Sequence, residues 1–362
     1  MTFPTDAPAA DSIEVSLFGP GVGECVVVHV GDGSWLVVDS CVEDSGRAVA
    51  LGYLASLGVA PTSIRRVIAT HWHDDHIRGL TEVVEAATAA GFVCSGALRR
   101  EEFLSLIAAS PAVRRTTRLA SGVDEMTNIL QRLQQSARHP TWASSNQILW
   151  RNGAAQLTSL SPSSATLSRS MLGFAAMAPK LKAALKAVPN VSPNETSVVL
   201  HLQCGKAVVL LGADLEVTAA QDAGWHAIVS SSERPQARAS TYKVAHHGSK
   251  TADLAEIWKV LVDAQPASMV SPFTRSHLPT NEDVERLKGV SGRLLQTGRS
   301  EVQAVRRDRA VDRTVAQMAK KPPTPRRGRM GQVRVRLSRS TGVVSSVEAF
   351  GAGFEIPLAR TA

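Results

Sequence analysis

Cysteine is scarce in this 362-residue chain. Cys25, Cys41, Cys94 and Cys204 are all there is, and no two form a C-x-x-C pair. That scatter excludes a zinc knuckle and argues against a disulfide framework in a chain this long, so buried free thiols are expected. No apolar run approaches the length of a membrane span, which leaves no membrane partner to expect. Residues 1–11 lack both the basic and the apolar region of a secretory leader. They are expected to be disordered, and the protein to be cytoplasmic. Aromatic residues are absent from Arg299 to Arg339. That stretch therefore has no rings on which single-stranded bases could stack.

What is present describes a globular protein with ample core: 44% hydrophobic and 20% charged residues. The net charge of +8 is concentrated in one segment. Residues 299–339 hold 13 Lys/Arg against Glu301, Asp308 and Asp312, a net of +10, so the remainder sums to −2. A local basic excess of this size suits nucleic acid or another polyanion, gripped through its backbone with little sequence preference. A solvated tether is the plainer alternative.

The densest chemistry lies in Thr70-His71-Trp72-His73-Asp74-Asp75-His76, directly after the apolar Val67-Ile68-Ala69. Three imidazoles and two carboxylates gain nothing from burial unless they bind something. Mixed imidazole and carboxylate sets suit zinc, manganese or iron. In an extended loop His71 and His73 point the same way and can grip one ion. Asp75 and His76 fall at the start of the next helix and can face a second.

Along the chain, strands are expected at 13–18, 25–30, 35–38, 64–69, 197–202, 207–211, 241–245, 267–271 and 293–296. Helices are expected at 48–57, 81–90, 252–262 and 281–287. Two strands lie within 147–160. Helical pieces near 101–108, 126–135 and 175–188 read as insertions, at about 95–145 and 163–193, able to cap a site. Residues 301–330 read as a flexible basic insertion and 331–362 as a closing β-hairpin. The main domain thus spans 12–300 plus that hairpin. Strand after strand ends on a polar residue of ligand type, at Asp39, His71, Asp214 and His246-His247, and α/β proteins gather binding sites at such ends.

The motifs His71-x-His73-x-Asp75-His76, Gly212-Ala213-Asp214 and His246-His247-Gly248-Ser249 resemble the metallo-β-lactamase fold superfamily over most of the chain. Within it the sequence is most similar to the soluble hydrolase domain of ComEC-like proteins. Gly21-Val22-Gly23-Glu24, Asn194-Glu195-Thr196-Ser197 and His277-Leu278-Pro279 carry that nearer likeness. The resemblance implies an αββα sandwich, two mixed sheets flanked by helices, holding two divalent ions, Zn2+ or Mn2+. It implies that His71 and His73 bind the first ion, and Asp75, His76 and His247 the second, with Asp214 bridging. His246 would act beside the substrate and Asp75 would also orient the nucleophile, both as catalytic residues. Asp39 would brace the metal loop. Asn194 stands where many members place another histidine, so the first ion has fewer ligands. The Gly-Asp turn is lengthened by Ala213.

Substrate contacts are expected from Ser249, Lys250 and His277, with Lys243 another lysine beside the histidine pair. His29, His139, His201 and His226 read as structural. Trp72 is placed at the site rim and Asp74 in solvent. The implied activity is a metal-dependent phosphodiesterase or nuclease acting on DNA or RNA. A small acyl hydrolase, for thioesters or lactones, would use the same ligands. A partner-gated subunit of a defence or DNA-processing assembly, with a protein partner or a second copy, is the third reading.

Overall fold

The computed structural model describes residues 1–19, 23–98, 120–181, 193–300 and 329–358. Two eight-stranded sheets lie face to face. The first runs β15-β14-β1-β2-β3-β4-β5-β6. Its strands are β1 (Ser12–Gly19), β2 (Cys25–His29), β3 (Trp35–Val38), β4 (Ile64–Ala69), β5 (Gly91–Ser95), β6 (Thr141–Ala143), β14 (Gly331–Ser338) and β15 (Val344–Gly351). The second runs β16-β13-β12-β11-β10-β9-β8-β7. It comprises β7 (Gln147–Asn152), β8 (Ala155–Ser159), β9 (Leu200–Cys204), β10 (Ala207–Leu211), β11 (Ala239–Lys243), β12 (Val262–Val270), β13 (Arg293–Gln296) and β16 (Phe354–Ile356).

Strand alternation makes three cores from two sheets. Ile13, Val15 and Leu17 of β1 and Val26 and Val28 of β2 meet Leu200, Val209 and Leu211 between the sheets. The opposite face of the first sheet packs on helices α1 (Val49–Ser56), α3 (Leu80–Ala86) and α4 (Ala120–Gln135), through Tyr53, Leu54, Val83 and Met126. The far face of the second sheet packs on α6 (Gly224–Ser230), α7 (Ala255–Val260) and α8 (Asn281–Lys288), through Trp225, Ile257 and Leu287. Helices α2 (Asp74–Ile77) and α5 (Ser164–Leu181) complete the set. This is the expected αββα sandwich.

Several expectations are corrected. Residues 1–11 are an ordered strap. Phe3 packs edge-on against Phe18 and Tyr53, and Asp6 accepts hydrogen bonds from Arg334 at 2.8 Å and Arg336 at 2.9 Å. One apolar ring and one acid anchor a segment whose prolines and small residues suggested disorder. The 95–145 stretch is not wholly helical, because Thr141-Trp142-Ala143 extends the first sheet as β6, parallel to β5. Helix α5 begins at Ser164, well before 175. The final stretch is more than a hairpin: after β14 and β15 the chain crosses to the second sheet, where β16 pairs with β13. The Pro20-to-Val22 turn, the 101–108 helix and residues 301–328 lie outside the described residues.

The described end of the basic segment is neutralised internally. Arg334 is buried and reaches Asp6, Glu348 and Glu14. Arg336 donates to Glu14 at 2.8 Å and Arg339 to Asp32 at 2.7 Å. Strand register explains it: β14 lies antiparallel to β1 with Arg336 opposite Glu14. These three arginines are engaged by acids of the fold.

Gly331 marks the tightest point of that closing strand. A Cβ there would sit 1.7 Å from the Thr297 carbonyl oxygen and 2.6 Å from the Gly353 nitrogen. Both are backbone atoms that cannot step aside. Gly331→Ala is expected to cost about 3 kcal/mol or more by overpacking, measured as a lowered denaturation midpoint. Among the described residues no helix is long and apolar enough to cross a membrane.

Candidate metal centre

Parallel pairing brings the chemistry to one edge. β3 and β4 run parallel, as do β10 and β11. Their C-terminal ends deliver Asp39, His71, Asp214 and His246-His247 side by side. The backbone is bent to do it. Asp39 (φ 57°), Ala213 (φ 47°), His246 (φ 46°) and His247 (φ 55°) all adopt left-handed conformations without being glycine. Such conformations cost energy and persist where surrounding contacts over-determine them.

Three histidines of the group, His71, His76 and His247, have one ring nitrogen held from behind. His76 Nδ1 meets Asp39 Oδ2 at 2.8 Å, and His247 Nδ1 donates to the Ser271 carbonyl at 2.9 Å. His71 Nδ1 lies 3.0 Å from Thr70 Oγ1, whose hydroxyl donates to Asp39 Oδ2 at 2.7 Å. Asp39 also accepts from the Thr70 amide at 2.8 Å. With Nδ1 protonated, the Nε2 lone pair is left for a metal.

Those Nε2 atoms converge. His76 Nε2 is 3.2 Å and His247 Nε2 3.3 Å from Asp214 Oδ2. Asp75 Oδ2 lies 3.7 Å and 3.4 Å from the same two nitrogens. His71 Nε2 faces His73 Nδ1 at 3.1 Å. Two atoms bound tetrahedrally to one zinc stand about 3.3 Å apart, given bonds of about 2.0–2.1 Å. Buried His76 Nε2 and His247 Nε2 have no hydrogen-bond partner, nor does Asp214 Oδ1. Unpaired buried polar atoms are costly, and a cation explains them. The residues therefore fit a metal. The structure brings together all six expected ligands, and it separates the histidine pair: His247 points into the group, while His246 turns toward Asn194 and Glu216.

Charge follows the same geometry. Burial, then the neighbouring His76, holds His71 well below its usual imidazole range, and burial lowers His73. Both are neutral and ready to ligate. Burial works against charge on His247, but Asp214 outweighs it and raises the imidazole to about 10; His76 is raised too, against burial, by Asp214 and Glu24. Asp214 lies far below the usual carboxylate range because His247 and His76 overcome its burial. In the metal-free protein this pairing favours folding fully below the ordinary imidazole value of 6.5, and the benefit fades as His247 titrates near 10. Metal must displace those two protons. Apparent metal affinity should thus rise with pH between about 6 and 8, with about two protons released per binding event, read by calorimetry in buffers of different ionisation heat.

Two residues of the centre escaped the sequence reading. Glu24, His76, Asp214 and His247 form a candidate metal-binding cluster, with ligand atoms within 4.8 Å of one another. Glu24 approaches from behind, however. Its oxygens are 3.7 Å from Nδ1 of His76 and of His247, and Oε1 is held by Lys243 Nζ at 2.5 Å. We assign it as the rear wall. Lys243, expected near solvent, is buried, donates to the Ala213 carbonyl at 3.0 Å and stands 3.8 Å from Asp214 Oδ1. Ala213 thus absorbs the lengthened turn, and its carbonyl also accepts from the His246 amide at 2.9 Å.

The substrate expectations fare unevenly. Ser249 is nearly buried and caps a short helical turn, accepting from the Thr251 amide at 3.3 Å. Lys250 and His277 are exposed, and among the described contacts neither joins the ligand group. Phe273, from the same turn as His277, stacks on His247 at 5.1 Å. Trp72 is buried in the core and not at the rim. His201 is structural, bonded to the Ala237 carbonyl at 2.9 Å.

Removing the brace should be visible without touching a ligand. Asp39→Ala frees Thr70 and the His76 ring together, and should weaken metal binding by about 10–100-fold, measured by competition with a chelating dye.

Residues 18–111 match the family model described as the metallo-beta-lactamase superfamily. The matched segment includes the His71-to-His76 loop, while Asp214 and His247 lie beyond it. No curated protein matches the chain in sequence. Solved structures that match include the metallo-beta-lactamase fold protein YhfI from Bacillus subtilis, at 15% identity and TM-score 0.31, covering 58% of this chain and 65% of that one. MEM-A1, a subclass B3 metallo-beta-lactamase from a soil metagenome library, matches at 13% and 0.33, covering 72% and 77%. The hydrolase AbOPH, of the beta lactamase superfamily, matches at 12% and 0.34, covering 57% and 72%. The chain covers under two thirds of YhfI, and superpositions this loose carry no further argument.

Proposed function

We propose that this protein is a metal-dependent phosphodiesterase acting on DNA or RNA. The observation that carries the reading is the charge of the buried centre. Glu24, Asp39, Asp75 and Asp214 oppose only Lys243, a net of −3 with neutral histidines. Two divalent ions bring the centre to +1, which favours an anionic substrate, whereas one leaves it at −1. The basic stretch at 301–328 and the likeness to the ComEC-like branch support the same substrate class.

Asp75, His76, Asp214 and His247 would hold one ion, and His71 and His73 the other with Asp214 shared. A divalent ion there supplies Lewis acidity, neutralising charge on a phosphoryl oxygen and activating water near neutral pH. The chain does the rest. Asp39, Thr70 and Ser271 orient the imidazoles. Asp75, partly exposed beside His247, accepts a hydrogen bond from the attacking water. His246, outside the ligand group, faces the reacting group. With only two histidines and a shared carboxylate to hold it, the ion at His71 and His73 would be the more weakly bound, and manganese would suit that set as well as zinc.

The test is a substrate panel on metal-loaded protein, zinc and manganese compared: single- and double-stranded DNA, RNA, a bis-aryl phosphodiester, nitrocefin, a thioester and a lactone. Cleavage of phosphodiesters alone supports the reading. Turnover confined to the thioester or lactone replaces it with acyl hydrolysis. Inactivity relieved by a partner protein points to a gated subunit.

A further inference from the structure

Glu216 and Thr251, to which no role has been given, converge on His246. Glu216 follows Asp214 by two residues and Thr251 lies in the short turn after the histidine pair. His246 Nδ1 is 3.0 Å from Thr251 Oγ1 and 3.2 Å from Glu216 Oε1. Thr251 Oγ1 is also 2.9 Å from Glu216 Oε1 and 3.1 Å from Ser249 Oγ. On the far side of the ring, Asn194 Nδ2 stands 3.3 Å from His246 Nε2.

Donor counting fixes the direction of every bond. An ionised carboxylate only accepts. Glu216 Oε1 lies within 3.2 Å of both the His246 ring nitrogen and the Thr251 hydroxyl, and as a carboxylate oxygen it accepts from them. The single Thr251 hydroxyl proton therefore goes to Glu216. Thr251 Oγ1 must then accept, from Ser249 and from His246 Nδ1–H. A neutral ring with its proton on Nδ1 has an acceptor at Nε2, so Asn194 must offer its NH2. That leaves Asn194 Oδ1 without a partner, and this nearly buried atom has none. This assignment satisfies both ring nitrogens of His246.

We propose that Glu216 and Thr251 are positioning residues that lock His246 as the Nδ1–H tautomer. Its Nε2 is thereby kept an acceptor, taken at rest by the Asn194 amide at 3.3 Å, which a water or substrate hydroxyl would displace. The left-handed backbone at His246, pinned by its amide to the Ala213 carbonyl at 2.9 Å, keeps the ring aimed there and away from the ions. A carboxylate that orients an imidazole through Nδ1–H is a general device for fixing tautomer. The inference rests on the hydrolase reading for its consequence, but not for its observation.

The experiment is long-range 1H–15N NMR of the full-length zinc-loaded protein with labelled histidine, His246 being assigned by its loss in His246→Gln. The wild type should show the Nδ1–H pattern. The double variant Glu216→Ala/Thr251→Val should give mixed tautomers, while Glu216→Gln, which keeps an acceptor, should keep the wild-type pattern. Zinc content should be unchanged throughout. On whichever substrate the panel identifies, the double variant should lose about 100-fold in kcat with KM within about twofold, and Glu216→Gln should recover most of it. An Nε2–H pattern in the wild type, an unaltered pattern in the double variant, or loss of zinc in His246→Gln would overturn the proposal. Absence of turnover on every substrate would refute the hydrolase reading alone, since the tautomer is read independently.

Discussion

Asp214→Ala should abolish tight metal binding and lower any hydrolytic turnover by on the order of 1,000-fold or more, the scale seen when charge stabilisation is removed from a preorganised site. Asp214 Oδ2 is the atom that His76 Nε2 and His247 Nε2 share, at 3.2 and 3.3 Å. Its removal leaves His76 and His247 buried with one fewer negative neighbour. Both imidazoles then lose the carboxylate that raises them most. Metal affinity and activity should therefore fall together, while the fold survives: Asp214 sits at the edge of the sheets and contributes nothing to the apolar clusters. A circular dichroism spectrum close to wild type, with metal content near zero and a denaturation midpoint lowered by the lost pairing, is the expected set of results. Residual activity at the wild-type level would show that catalysis resides elsewhere.

Lys243→Met should be the most destabilising change at the site, by about 3–5 kcal/mol, because it strips the partner from a buried carboxylate. Lys243 is held above its usual range: burial opposes its charge, but Glu24 and Asp214 outweigh burial. Without the ammonium, Glu24 has no cation within reach except the two imidazoles behind which it stands. The double variant Glu24→Gln/Lys243→Met removes both charges and should recover most of the loss, because a buried pair is often nearly neutral when replaced as a unit. Chemical denaturation of both single variants and the double measures the coupling. Additive losses would mean that the two residues act separately.

The metal loop was legible because its information is local. Seven residues and a preceding apolar strand specify where His71, His73, Asp75 and His76 point. Asp214 and the histidine pair were legible because each follows an apolar strand with a ligand-type side chain, as His71 does, in a motif of its own. Glu24 and Lys243 were not legible, since each reads alone as a surface charge. Lys243, the last residue of β11, comes within reach of Asp214 only once β10 and β11 pair, and Glu24 arrives from the first sheet. Glu216 carried only a weak signal, an acid two residues beyond Asp214. The reverse error concerns Ser249 and Arg334. A serine after two histidines suggested substrate, but its hydroxyl is consumed by a cap. Arginines near a basic run suggested a polyanion, but alternation on β14 places Arg334 and Arg336 opposite acids. Charge counted along a sequence does not distinguish a surface from a network across strands. For the strap at 1–11, the lone Phe3 was the clue that outweighed its prolines.

Anomalous diffraction from zinc-soaked crystals tests the central claim most directly. The account predicts a strong peak bounded by His76 Nε2, His247 Nε2, Asp75 and Asp214, a weaker one at His71 and His73, and none beside Glu24 and Lys243. A single peak at Glu24, or no peak at this edge of the sheets, would contradict it.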